Sequence, residues 1–292
     1  MAHHGPSEPL PATIYHYTSG LALVQILETR KIWATHARYL NDRQEFAFGR
    51  AAVSNALLAA ADRVAVRPPS DDLDDSPRQV AEYLRGLAVT DGLAAPFVAC
   101  FCTEPDLLSQ WRSYGASGYS IGFDAGVLAD IPAPQRQVLL GDGYWDELPG
   151  VGNHPPPVLM PVRYGEEGIQ RVAAEVEEVY GALPAVPHAS NSTEVPLFAQ
   201  SSLAAVKHGA FEEEQEWRLV LQSQHMRAEY RTDRRSTLVP YYSLSFPREA
   251  VREIWIGPDM HEGAEASLKR FLADHFHNQN IDVRLSDAPY RQ

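Results

Sequence analysis

Apolar positions along the chain recur with two periods, and turn residues stand where one period gives way to the other. Residues 12–18 carry β-branched and aromatic side chains and predict a strand. Ser19 then offers an N-cap for a short helix from Leu21 to Glu28, with Leu23, Val24, Ile26 and Leu27 on its apolar side. A second strand follows at Lys31–Thr35. Asn41 and Asp42 open a longer helix in which Phe46, Gly49, Val53, Leu57 and Ala60 recur at three- and four-residue spacing.

The pattern continues with a helix from Pro77, an apolar strand at Phe97–Thr103 and a helical stretch at Leu107–Tyr114. Gly115 and Gly118 lead into a strand at Tyr119–Phe123. Val158–Tyr164 predicts a strand, and Ile169, Val172, Val176 and Val179 mark an amphipathic helix. A further helix runs to about Lys207. From Glu216 to Gln222 the alternation is clean, with Trp217, Leu219 and Leu221 on one face and Glu216, Arg218, Val220 and Gln222 on the other. Ile254–Ile256 predicts a short buried strand, Leu268 to Phe276 a helix, and Ile281–Leu285 a half-buried last strand. About eight strands and six or seven helices, interleaved without a regular βαβ repeat, predict an α+β fold.

Two stretches interrupt the pattern. Pro68–Asp75 is acidic and reads as a linker, and Gly141–Pro161 is dense in Gly and Pro and reads as loop, a lid or an insertion. The expected organisation is a leader at 1–11 and one domain at 12–292 with insertions at about 62–78 and 141–160.

Composition narrows the function classes. A chain of 292 residues with 45% hydrophobic and 22% charged residues can bury a substantial core. A formal charge of −13 argues against broad nucleic-acid binding, although Arg227, Arg231, Arg234 and Arg235 form a local basic cluster. The two cysteines, Cys100 and Cys102, alternate onto one strand face and read as small buried thiols, with no second pair to complete a zinc site. No segment reads as a signal peptide or a membrane span, so the expected location is cytoplasmic, with no membrane partner.

Familiar catalytic signatures are absent: there is no Walker A run, no Gly-rich dinucleotide fingerprint, no His-Glu-x-x-His and no Gly-x-Ser-x-Gly. Four polar segments remain. In Tyr15-His16-Tyr17-Thr18, alternation places His16 and Thr18 on one face and the two tyrosines on the other. Tyr39–Glu45 reads as an N-capped helix start, with Asn41 as a candidate contact. Trp111 and Tyr114 share a helix face, with Arg112 between them. Glu212–Arg218 runs an acidic stretch into an apolar strand, so that Glu214, Glu216 and Arg218 can share a face. Core packing and solvation account for each of these segments taken singly.

Together, in the order Tyr-His-Tyr-Thr, Asn-Asp-x-x-Glu, Cys-Phe-Cys-Thr, Trp-x-x-Tyr-Gly, Gly-Phe-Asp and Glu-x-Glu-Trp-Arg, they closely resemble an uncharacterised bacterial family known only as a domain of unknown function, found near mobile and defence genes. The match runs from about Ile14 to Val220. More distantly the chain resembles ADP-ribosyltransferases. That resemblance implies split mixed or antiparallel sheets with surrounding helices, and NAD as co-substrate. It also implies release of nicotinamide with transfer of ADP-ribose to an unknown acceptor (protein, nucleic acid, small molecule or water), in a defence or toxin setting.

By the same resemblance His16, with Tyr17 and Thr18, would hold the adenosine ribose, and Glu216 would fix the nicotinamide ribose. Tyr114, with Trp111, would stack on nicotinamide, Tyr119 and Ser120 being alternatives to Tyr114. Glu214 would activate the acceptor, Arg218 or Arg112 would meet the pyrophosphate, and no metal is implied. A nucleotide-binding sensor without catalysis is the alternative, followed by a metal-dependent nuclease using Asp42, Glu45 and the late glutamates.

Overall fold

The computed structural model describes residues 8–40, 43–68, 76–89, 95–115, 118–132, 137–139, 145–147, 155–183, 185–186, 194–222, 227–233, 235–276 and 280–289. The first half of the chain folds in the order β1 (Thr13–Ser19), α1 (Gly20–Thr29), β2 (Lys31–His36), α2 (Arg43–Ala65), α3 (Pro77–Val89), β3 (Phe97–Cys102), α4 (Leu108–Gln110), β4 (Gly118–Asp124), α5 (Ala125–Ala129), β5 (Gln137–Leu139) and β6 (Trp145–Glu147). The second half adds β7 (Val158–Pro161), β8 (Arg163–Tyr164), α6 (Gly165–Gly181), α7 (Glu194–Leu203), β9 (Val206–Lys207), β10 (Glu216–Leu221), β11 (Glu229–Thr232), β12 (Leu238–Ser245), β13 (Val251–Ile256), α8 (Ala264–Phe276) and β14 (Asp282–Leu285). Helices and a mixed, mostly antiparallel sheet make the fold α+β; within the main sheet, the one parallel pairing among the described residues is β13 with β14.

The sheet divides at β3. Along one edge β3 pairs with β10 over its whole length, from Glu216 opposite Cys102 to Leu221 opposite Phe97. Two strands share its other edge. β2 pairs only at one end, with Thr35 opposite Val98 and His36 opposite Phe97, and β1 pairs only at the other, with Tyr15 opposite Cys102. Residues 99–101 of β3 therefore face a gap between two arms, β2-β12-β11 and β1-β4-β13-β14.

Local chemistry explains the gap. β1 and β2 are joined by a ten-residue helix instead of a hairpin turn, so the two strands leave α1 on diverging paths. Ser19 caps that helix by accepting from the amide of Ala22, and Leu23, Ile26 and Leu27 bury its inner side. β1 is meanwhile held by β4 over seven residue pairs, from Thr13–Asp124 to Ser19–Gly118. At Gly122 a side chain has no room: a Cβ there would stand 2.9 Å from both the Tyr15 ring and the Glu253 side chain.

Each face of the sheet is covered by its own layer. One face buries Ile14, Phe101, Phe123, Trp217, Leu219 and Ile254 with residues of α1, α5 and α8. The other buries Val98 and Val220 against Ala204 and Met160, which lead into the helical cluster of α2, α3, α6 and α7. Every residue of β10 is thus buried. Each large apolar side chain taken out of water contributes about 1.5–3 kcal/mol, so β10 is among the strands this core holds most firmly.

Several elements differ from the sequence pattern. β12 was not predicted, because Pro240 interrupts its alternation; in the fold Pro240 lies outside the stretch 241–245 that β2 pairs. β6, paired antiparallel with β5, lies within the expected loop. α7 ends at Leu203, and Lys207 lies instead in β9, paired in parallel with β8. β14 is an edge strand with only Val283 half-buried, which is less burial than its alternation implies.

Candidate functional site

The alternation of β1 sorts its polar residues as expected. Tyr15 and Tyr17 pack with Cys102 and Trp111, while His16 and Thr18 fall on the opposite face. The Tyr17 hydroxyl donates to the carbonyl of Glu104 at 2.9 Å and accepts from the amide of Leu107 at 2.8 Å. One phenol thereby pins the loop between β3 and α4. Behind it α4 passes into a π turn, Trp111–Gly115. Trp111 is fully buried, edge-on to Tyr17 at 4.6 Å, with its indole N–H on Asp106 at 2.6 Å. Asp106 also accepts from the Ser286 hydroxyl and the Asp287 amide, so the C-terminal segment is fastened over the same cluster.

His16 occupies the gap in the sheet. Its Nδ1 lies 2.9 Å from the carbonyl oxygen of Cys100, a β3 residue with no strand partner on that edge. A carbonyl only accepts, so Nδ1 carries the proton and Nε2 is left as a hydrogen-bond acceptor. Burial lowers the imidazole pKa, a shift the Cys100 carbonyl opposes without overturning, and the ring is neutral near pH 7. The ring also meets Phe101 at 5.7 Å.

Glu216, opposite Cys102 on the far side of β3, stands in a buried network of charges. Its carboxylate accepts from Arg218 Nε at 2.6 Å and Nη2 at 3.0 Å, and from Lys207 Nζ at 3.0 Å. Lys207 donates as well to Glu214 at 2.7 Å and sits 4.8 Å from the Phe211 ring centre. Arg218 reaches the carbonyl of Ala204, and the amide of Glu216 donates to the Tyr164 hydroxyl at 2.6 Å. Two carboxylates thus meet two cations. Burial alone would raise the Glu216 carboxyl, but Arg218 and Lys207 prevail and hold it at about 2. Beside it the Cys100 thiol is pushed well up, chiefly by burial and then by the Glu216 charge.

The predicted residues therefore divide into groups. His16 and Glu216 are one strand apart: two strand spacings separate Tyr15 from Glu216, about 10 Å between α-carbons. They do not share a face, since His16 lies on the side of Ile14 and Glu216 on the side of Cys102, and β3 runs between them. Glu214 joins Glu216 through Lys207, with its side chain 16% exposed. Arg218 is 2% exposed and committed to Glu216, and Thr18 is buried. Trp111 packs in the core cluster, and Arg112 is exposed on the π turn.

Tyr114 lies on the same turn, but its side chain and the whole of Asn41 fall outside the described residues, as does Asp42. Of the two alternatives to Tyr114, Tyr119 packs against the main core. Ser120 is fully buried between Tyr17 and Trp255 in register, with an unpartnered hydroxyl. Among the described residues no group of three or more His, Cys, Asp or Glu side chains could hold a metal.

Lys207 and Tyr164 were not foreseen. The sequence pattern predicts a helix end at Lys207, and a lone Tyr before Gly165 carries no distinguishing signal. The spacing Lys207–Glu214–Glu216–Arg218 offered the one available hint, an ion-pair set around the start of an apolar strand.

Residues 110–219, from the π turn through most of β10, match a family described as a protein of unknown function (DUF2971). That segment belongs to a domain-of-unknown-function family. The matched stretch includes Trp111, Tyr114, Lys207, Glu214, Glu216 and Arg218, and leaves out His16 and the whole β2 arm. No curated protein and no solved structure matches the chain.

Proposed function

We propose that the chain is an NAD-consuming enzyme of the ADP-ribosyltransferase kind, with its nucleotide site at the gap where β1 and β2 part. The observation that carries this reading is His16 set in the gap. A neutral imidazole fixed by Cys100 presents one acceptor, Nε2, suited to a ribose hydroxyl. Such a histidine orients its ligand and moves no proton.

Cleavage of the nicotinamide–ribose bond places positive charge on the ribose, and a carboxylate already ionised stabilises it electrostatically. Glu216 is held ionised over the whole neutral range, one strand from His16. Glu214, less buried and sharing Lys207 with Glu216, is the carboxylate placed to take a proton from an acceptor nucleophile.

The test is release of nicotinamide from NAD by the purified chain. His16→Leu should raise KM for NAD, and Glu216→Gln should reduce turnover by about 100-fold or more. Full turnover in a folded Glu216→Gln protein sinks the assignment. A second reading, an NAD-binding sensor without turnover, draws on the engagement of both Glu216 oxygens and its 5% exposure. Saturable binding with no nicotinamide released under any acceptor condition selects that reading.

A further inference from the structure

The β2-β12-β11 arm carries a stacking platform that the gap does not use. Ile32, Ala34, Tyr242 and Leu244 point into the core, so alternation sends Lys31, Trp33 and Tyr241 to the opposite face. Trp33 remains 40% exposed there. Its ring is steadied from within the sheet: Tyr241 lies 4.6 Å away at 38°, and the Arg231 guanidinium reaches within 5.9 Å across β12. Arg231 is fixed in turn by a 3.3 Å hydrogen bond from Nη2 to the Thr35 hydroxyl, and its Nε has no acceptor. An indole with open surface, braced by a cation, is a surface for a planar ring.

The charge around it contrasts with the rest of the molecule. The segment 227–235 holds four arginines against Glu229 and Asp233, and Lys31 adds to them, on a chain of net charge −13. Both acids have local partners: Glu229 accepts from the Tyr241 hydroxyl, and Asp233 from the amides of Arg235 and Thr237 in the turn. Lys31 and Arg227 are exposed. A polyanion repelled by the protein as a whole finds local attraction on this arm.

We propose that this face binds single-stranded nucleic acid, with an unpaired base stacked on Trp33 and neighbouring phosphates met by Lys31, Arg227 and Arg231. A duplex keeps its bases stacked on one another and cannot cover the indole, so the strand is single. The inference is independent of the NAD reading, because it needs no residue of the gap.

The experiment is fluorescence anisotropy of labelled oligothymidylate and oligouridylate, about 12 nucleotides long, titrated with the full chain at low and moderate salt. The expected result is saturable binding that weakens with salt, at a logarithmic slope near −2 for about three phosphate contacts. Trp33→Ala should weaken binding about ten-fold or more. The pair Lys31→Glu and Arg227→Glu should abolish it, while Arg270→Glu on α8 leaves it unchanged. All these positions are exposed or half-exposed, so thermal unfolding should confirm that each variant folds. No saturable binding at low salt, equal binding of a duplex, unaltered affinity in Trp33→Ala, or competition by AMP as tight as by the oligonucleotide would each overturn the proposal.

Discussion

His16 Nδ1 stands 2.9 Å from the carbonyl oxygen of Cys100, at the one part of the β3 edge that neither β1 nor β2 covers. An imidazole there does what a neighbouring strand does elsewhere, satisfying a β3 backbone acceptor in the interior. It also leaves Nε2 as an acceptor, since Nδ1 carries the proton.

The first prediction concerns its protonation. Ring-nitrogen NMR shifts should report the Nδ1–H tautomer and no protonation near 6.5. Because burial lowers the folded pKa, the unfolded chain takes up the proton first, and stability that is full above 6.5 erodes as pH falls below it. His36, lowered likewise by burial, contributes in the same direction, so a His16→Phe variant should lose part of the slope and not all of it. Titration of His16 at its unperturbed value would contradict the burial.

The ion network around Glu216 predicts a large loss on removing one member. Glu216→Ala leaves Arg218 and Lys207 buried without their shared anion and should cost about 3–5 kcal/mol in urea unfolding. Lys207→Met should cost less, since Glu216 keeps two bonds from Arg218. Equal costs would place the weight of the network on Lys207.

Acid should undo the same network over a defined range. The Glu216 carboxyl falls from an ordinary 4.5 to about 2 in the fold. Its stabilisation is therefore complete above 4.5 and lost as pH falls towards 2, on the order of 3 kcal/mol in all. Unfolding free energies measured across that range should flatten in a Glu216→Gln variant.

Gly122→Ala tests the packing of β1 on β4. The added methyl meets the Tyr15 ring and the Glu253 side chain, which share a 2.7 Å hydrogen bond. A loss of about 1–3 kcal/mol is expected, with the altered tyrosine environment visible in near-ultraviolet circular dichroism.

Much of the framework was legible because its elements obey simple periods. The cap at Ser19, the alternation of β10 and the apolar spacing of α2, α6 and α8 follow from local chemistry alone. β12 was hidden by Pro240, which local rules count against a strand, although the register of β2 leaves that residue unpaired on its side. The site was legible only as a set of residue types. The resemblance gives His16 and Glu216 to the two riboses of one dinucleotide, yet strand parity puts them on opposite faces. The non-local sharing of one β3 edge by two strands creates the gap in which His16 stands, and Glu216 lies across β3 from it. The resemblance implies that Trp111 stacks on nicotinamide. Its i, i+3 partnership with Tyr114 could not reveal that Tyr17 and Asp106, from other segments, close over it. Lys207 escaped notice because a helix end and a two-residue strand look alike in sequence.

The most direct test of the nucleotide site is a titration of NAD followed at the His16 ring by NMR. A saturable shift of the His16 Nε2 and Cε1–H resonances is expected, with Nδ1 still protonated and bonded to Cys100. Saturable NAD binding that leaves the His16 ring unmoved, or no NAD binding by a folded chain, would contradict it.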